Sequence, residues 1–162
     1  MRNLPEVQEA KELMHEAMEW SAFKWLWEKS RVRETADRAN AALDRLERTV
    51  KSHWSAEDKT AYKLLTAKTT TNPEPHEDTG SQLETTDPRI VLLEEVHEAH
   101  AAANRARKAA EATFDEAERQ MSTGLAQEGC KKAIHSWQLH EKAIRRAESV
   151  AHHSQVQKQS AP

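Results

Sequence analysis

The sequence predicts an all-α protein, an elongated antiparallel bundle of three long helices and one short helix. Charged residues make up 31% of the 162 residues, and Ala, Glu, Lys, Arg and Leu dominate outside the middle of the chain, which is typical of helical proteins. Only three glycines and five prolines could interrupt helices. Apolar residues recur at alternating spacings of three and four, the pattern of coiled-coil-like seams. At this length we expect one domain, residues 1–162.

The first helix is predicted over residues 5–51. Pro5 suits the first helical position, and Glu6 and Glu9 place negative charge at the positive end of the helix dipole. No proline or glycine follows before residue 51, which indicates one uninterrupted helix about 70 Å long. The predicted seam consists of Met18, Ala22, Trp25, Lys29, Val32, Ala36, Ala39, Leu43, Leu46 and Val50.

A short second helix is predicted over residues 56–68. Ser55 precedes it as an N-cap, with Asp58 three residues later. Residues 69–87 are acidic and rich in threonine, contain no lysine or arginine, and offer little to bury. They are therefore expected to form a flexible linker.

The third and fourth helices are predicted over residues 88–122 and 125–153, with Gly124 as the break between them. Asp87 and Pro88 supply a cap and a first helical residue. A connection this short makes the two helices antiparallel neighbours. The third seam is rich in alanine, which predicts close helix approach. The seam of the fourth helix consists of Ala126, Cys130, Ala133, Trp137, His140, Ile144, Ala147 and Ala151. Residues 154–162 are expected to form a frayed tail.

Residues 18–27 form the most apolar stretch, with three of the five tryptophans. On a helix, Trp25 lies in the seam, whereas Trp20, Phe23 and Trp27 project from a different sector. This aromatic surface has two interpretations. It forms core under the short helix or against Trp137, or part of it mediates homodimer formation or binds a partner protein, because aromatic residues are enriched in interfaces. The second interpretation gives our leading functional hypothesis, with Trp20, Phe23 and Trp27 as partner-binding residues.

The alternative hypothesis is a metal-binding bundle. Glu12 with His15, and Glu94 with His97, stand three residues apart and share a helix face. With Glu141 as a further ligand, they resemble the carboxylate and histidine arrangement of ferritin-like bundles, which implies bound iron or manganese with oxidase, sensor or storage activity. That family needs two further glutamates, and its pairs lie on the second and fourth helices rather than on the first and third. Surface pairs that serve the helix dipole are the competing interpretation.

His97 and His100 share a face with Glu94, and His140 lies on the inner stripe of the fourth helix, so a histidine-rich zinc or haem site is a further alternative. A lone histidine on an inner stripe is more often a hydrogen-bonded core residue.

Several classes of function are disfavoured by composition. A net charge of −3 and a pI near 6.3 speak against nonspecific nucleic-acid binding. No segment has the length and apolarity of a membrane span or the apolar core of a signal peptide, so a cytoplasmic location is expected. Cys130, the single cysteine, excludes an intramolecular disulfide. We find no motif for nucleophilic catalysis or phosphate binding, and therefore expect no catalytic residues and, in the leading hypothesis, no cofactor.

Overall fold

The computed structural model describes residues 4–71 and 88–160, and all regular structure within these ranges is α-helical. The predicted all-α class is confirmed. In chain order the helices are α1 (Pro5–Ala17), α2 (Ala22–Ser52), α3 (Ala56–Thr71), α4 (Pro88–Gln120) and α5 (Thr123–Ser160). The predicted linker over 69–87 begins inside α3, and its remaining residues, 72–87, lie outside the described part of the chain.

The helix predicted over 5–51 is two helices. α1 ends at Ala17, and Ser21 caps α2 by accepting a hydrogen bond from the backbone N–H of Lys24 at 3.3 Å. The break has a reason in packing, because Trp20 and Trp25 are both buried although they project from different sectors of one straight helix. The turn between α1 and α2 brings both indole rings into the core, and the predicted seam did not allow for it.

The three long helices form the body of the bundle. α4 and α5 pack against each other along their length as an antiparallel hairpin, and α2 packs beside α5. Arg33 contacts Asp115 at 2.9 Å, whereas Glu47, further along α2, contacts His100 at 2.8 Å, so α2 runs antiparallel to α4. At 33 residues, α4 is about 50 Å long.

The two short helices cover this body. α1 packs against α2 and α5, where Lys11 forms an ion pair with Glu141 at 2.7 Å. α3 packs against α4, and Ser55 caps it as predicted by accepting a hydrogen bond from the backbone N–H of Asp58 at 3.1 Å. The buried carboxylate of Asp58 accepts a hydrogen bond from Ser154 Oγ and lies 3.8 Å from Arg89 Nε, so it joins α3 to both α4 and α5.

The predicted seams account for most of the core. All eight predicted seam residues of α5 are buried, and so are Trp25, Val32, Ala36, Ala39, Leu43 and Val50 of α2. Trp137 donates a hydrogen bond from Nε1 to Asn40 Oδ1 at 3.0 Å, which satisfies its buried indole N–H. Alanine seams on α4 and α5 let the two backbones approach closely, as the composition predicts.

The connection between α4 and α5 differs from the prediction. The break lies at Met121 rather than at Gly124, which is the second residue of α5. Met121 has a φ of 52°, and its N–H and that of Ser122 donate to the carbonyls of Glu118 and Ala117, the two bonds of a Schellman motif. Ser122 then caps α5 by accepting from the N–H of Leu125. Ser122 therefore caps the start of α5. The turn between α4 and α5 is made without a glycine.

The polar tail predicted to be frayed is also helical as far as Ser160, and residues 161–162 lie outside the described range. Gln and Lys are good helix formers, and no proline stands between Pro88 and Pro162 in the sequence. The helix that began at Thr123 therefore meets no residue that would end it.

Candidate functional site

The predicted partner-binding residues divide between the surface and the core. Phe23 and Trp27 are 71% and 75% exposed, and their ring centroids are 6.0 Å apart. Leu26 lies beside them and is also exposed. Trp20, by contrast, is buried. We call Phe23, Leu26 and Trp27 the aromatic face; it occupies the first two turns of α2.

Charged residues of both signs continue this surface along α2. Lys24, Arg31 and Glu34 are exposed, and Glu28 forms an ion pair with Arg31 at 3.5 Å. With Phe23, Trp27 and Ser30, the exposed residues make one stripe that follows the helical repeat. The aromatic face is therefore one end of a longer exposed stripe that is mixed in charge.

The structure does not bring together the five residues of the predicted ferritin-like site. Glu12 and His15 are exposed on α1, and Glu94 is exposed on α4. His97 is half-buried, with its ring 6.3 Å from that of Tyr62, and Glu141 is engaged by Lys11. The i, i+3 spacing puts each pair on one helix face, but it does not determine which way that face points in the bundle.

A different group of metal-ligand residues is assembled inside the bundle. Among the residues that the structure describes, one group of three or more His, Cys, Asp or Glu side chains has its ligand atoms within 4.8 Å of one another. It consists of Glu47 from α2, His100 from α4 and His140 from α5. Each of the three long helices therefore contributes one side chain, and we call this group the Glu–His–His cluster.

The carboxylate of Glu47 is the centre of the cluster. Its Oε1 accepts a hydrogen bond from Nδ1 of His100 at 2.8 Å and lies 3.3 Å from Nε2 of His140. The two imidazole rings are nearly perpendicular, with centroids 6.0 Å apart. Both nitrogen atoms thus converge on the same carboxylate oxygen.

Electrostatics favour the ionised form of Glu47. Burial raises its pKa, but the two histidines and the ammonium group of Lys51 together outweigh burial and hold the pKa well below its usual range. Glu47 therefore carries a negative charge at physiological pH.

Lys51 and two aromatic rings close the other side of the carboxylate. Lys51 Nζ lies 3.6 Å from Glu47 Oε2, and it sits over the rings of Tyr62 and Trp54 at 4.8 and 5.8 Å. Burial and the charge of Glu47 raise the pKa of Tyr62 to about 12. Oε2 therefore interacts with the ammonium group of Lys51, whereas Oε1 interacts with the two histidines.

Sequence reasoning identified only part of this cluster. His140 lies on the predicted seam of α5, and a histidine in a seam is itself a signal for a core site. Glu47 carries no such signal, because it is one residue away from the seam position Leu46 and pairs locally with Lys51. Only the packing of α2 against α4 and α5 shows that Glu47 faces both histidines.

Cys130, the remaining candidate for nucleophilic chemistry, is not reactive. Cys130 is buried, and burial raises the pKa of its thiol to about 12, so the nucleophilic thiolate is suppressed. No helix within residues 4–71 and 88–160 has the length and apolarity that crossing a membrane would require.

Comparisons of the chain with protein families, with curated proteins and with solved structures find no match. The aromatic face and the Glu–His–His cluster are therefore the features of this chain that bear on its function.

Proposed function

We propose that this chain is a non-enzymatic interaction protein that associates with a second copy of itself through the exposed stripe of α2. The observation that carries the proposal is the exposure of Phe23 and Trp27, 71% and 75%, side by side on one helix face. Large aromatic side chains are enriched among the residues that dominate binding energy, and an adjacent pair of them is a hot-spot arrangement.

The charges of the stripe favour a second copy as the occupant. A two-fold axis at the level of Lys29 would pair the stripe with itself in antiparallel orientation. In that register, Lys24 faces Glu34 of the second copy and Arg31 faces Trp27, so Lys24 meets an opposite charge and Arg31 meets an aromatic ring. Because the dimer is two-fold symmetric, each of these contacts occurs twice.

The size of the surface fits an association of moderate strength. Phe and Trp side chains bury about 150–250 Å² each, whereas a stable interface buries about 800 Å² per partner. The two aromatic residues therefore provide the main apolar area of the interface, and the charged part of the stripe must provide the rest. We expect a dimer with a dissociation constant in the micromolar range.

Sedimentation velocity over a micromolar concentration series tests the proposal. The wild-type chain should shift from monomer to dimer as concentration rises, and the double variant Phe23→Ser/Trp27→Ser should stay monomeric. Leu64→Ser is the matched control, because Leu64 is also exposed but lies on α3, and this variant should dimerise like the wild type. A wild-type chain that remains monomeric at tens of micromolar and above contradicts the proposal.

Charge reversal tests the register separately. Lys24→Glu places two acidic groups opposite each other twice per dimer, and we expect the dissociation constant to rise about 10-fold at low salt. The double variant Lys24→Glu/Glu34→Lys should restore the affinity, since it exchanges the two charges. If both variants dimerise like the wild type, the proposed antiparallel register is wrong.

The proposal includes the cytoplasmic location and the absence of catalysis that the sequence leads us to expect. A single thiol, held in the core without a partner cysteine, suits a reducing compartment. Fractionation of cells that produce the native chain would test the location.

A further inference from the structure

The Glu–His–His cluster has the donor set of a metal site. Two imidazole nitrogens and one carboxylate oxygen suit divalent ions such as Zn²⁺, Fe²⁺ and Mn²⁺. Ligand atoms bound about 2.0–2.2 Å from one ion are themselves about 3 Å apart. The distances from Glu47 Oε1 to the histidine nitrogens, 2.8 and 3.3 Å, have this size, and the third separation is within 4.8 Å.

His140 provides an independent observation. Its ring is buried, with 6% of the residue exposed, and its Nε2 points toward Glu47 without a hydrogen bond of normal geometry to any described residue. An unsatisfied buried nitrogen costs about 1–3 kcal/mol, so such groups are rare in proteins. A metal ion between His140 and Glu47 would satisfy this nitrogen.

The surroundings fit a site with three protein ligands. Lys51 contacts Oε2 of Glu47, which leaves Oε1 as the single carboxylate atom that faces the histidines. Asp44 is the nearest further acid to His140, at 3.9 Å, but it is also within 3.5 Å of Arg107. The side chain of His100 is 29% exposed and gives an ion a path from solvent.

We propose that Glu47, His100 and His140 bind one divalent first-row transition-metal ion through Oε1, Nδ1 and Nε2, respectively. Water would occupy the remaining coordination positions. An ion at Nδ1 of His100 takes the place of the proton shared with Glu47, and the neutral ring then carries its proton on Nε2. The site ties the three long helices together and does not depend on self-association through α2.

Isothermal titration of the full chain, first stripped with a chelator, tests this with Zn²⁺ as the probe. We expect one Zn²⁺ per chain and a rise in the thermal unfolding midpoint. His100→Ala should weaken binding at least about 100-fold, because it removes a direct ligand. His97→Ala is the matched control: this histidine lies one turn earlier on α4, is also half-buried, and belongs to the ferritin-like ligand set that the sequence suggested. It should bind Zn²⁺ like the wild type.

A second readout follows the ligand atoms directly. In spectra that correlate imidazole protons with ring nitrogens, Zn²⁺ should shift Nδ1 of His100 and Nε2 of His140 and leave the exposed His135 unchanged. A purely structural hydrogen-bond network would not give these shifts. The proposal is overturned if Zn²⁺ does not bind stoichiometrically, if His100→Ala binds as tightly as the wild type, or if His97→Ala loses binding instead.

Discussion

Tyr62 is a half-buried residue whose pKa depends on the charge of Glu47. Burial and then the carboxylate of Glu47 raise the pKa of Tyr62 to about 12, because both penalise the phenolate. The fold favours the neutral phenol, so the stabilisation is fully present below the pKa of about 10 of an unfolded chain. It is lost as pH rises through about 12.

Ultraviolet absorbance should therefore show tyrosinate forming about two pH units later in the native chain than in urea. The chain has a single tyrosine, so the signal is unambiguous. Glu47→Gln should lower the native midpoint, since it removes one of the two causes, and circular dichroism would show whether the helices persist. A native midpoint near that of the unfolded chain, with helicity intact, would be inconsistent with the packing of Tyr62.

At the scale of elements, Phe114 of α4 lies between Trp25 of α2 and Gly129 of α5. Its ring stacks on Trp25 with centroids 6.3 Å apart, and a Cβ added at Gly129 would lie 2.8 Å from the ring. Gly129→Ala gains about 1 kcal/mol of helix propensity but must push Phe114 against Trp25, which costs about 1–3 kcal/mol.

We expect Gly129→Ala to lower the free energy of unfolding by up to about 2 kcal/mol in urea denaturation. Gly124→Ala is the control, because a Cβ there meets only Ser122 Oγ at 3.8 Å, an ordinary contact. That variant should be neutral or more stable by up to about 1 kcal/mol. Equal effects of the two substitutions would show that the close approach at Phe114 is not a constraint.

The sequence predicts elements well where local periodicity decides the outcome. The α5 seam is an example: a four-three repeat identifies its buried residues because one helix face must enter the core. The break at residues 18–21 was missed because it depends on burying Trp20 and Trp25 together, which is a tertiary requirement. Glycine often follows a helix, so the sequence predicts a break at Gly124, whereas Met121 takes the left-handed conformation and Ser122 caps the next helix.

The candidate sites depend on tertiary packing even more than the helix boundaries do, so the sequence predicts them less well. Phe23 and Trp27 could be singled out by composition, but not separated from Trp20, since exposure depends on where α1 folds back. Glu47 lies 53 and 93 residues from its partners His100 and His140, as sequence numbering shows. No spacing rule connects side chains across three helices, so the cluster becomes visible only in the assembled bundle.

At the scale of the whole molecule, stability is unevenly distributed. α4 and α5 share a long buried seam, whereas α3 packs mainly on α4 and exposes Leu64. Asp58 gives α3 a buried polar contact with the rest of the bundle, since the fully buried carboxylate contacts Arg89 and Ser154. Regions held by few buried contacts open locally without global unfolding.

Asp58→Ala should therefore release α3 while the α4 and α5 hairpin stays folded. The substitution removes the acceptor of Ser154 and one of the two carboxylates near Arg89, and losing the partner of a buried polar group costs about 1–3 kcal/mol. Hydrogen exchange read by mass spectrometry should show lost protection in residues 56–67 and unchanged protection around Trp137. Glu57→Ala is the matched control, because Glu57 also pairs with Arg89, at 2.9 Å, but from an exposed position where an ion pair contributes about 0–1 kcal/mol. If both variants exchange like the wild type, α3 is held by its apolar contacts and not by Asp58. If Asp58→Ala loses protection in every helix, the bundle unfolds as one unit and α3 does not open separately.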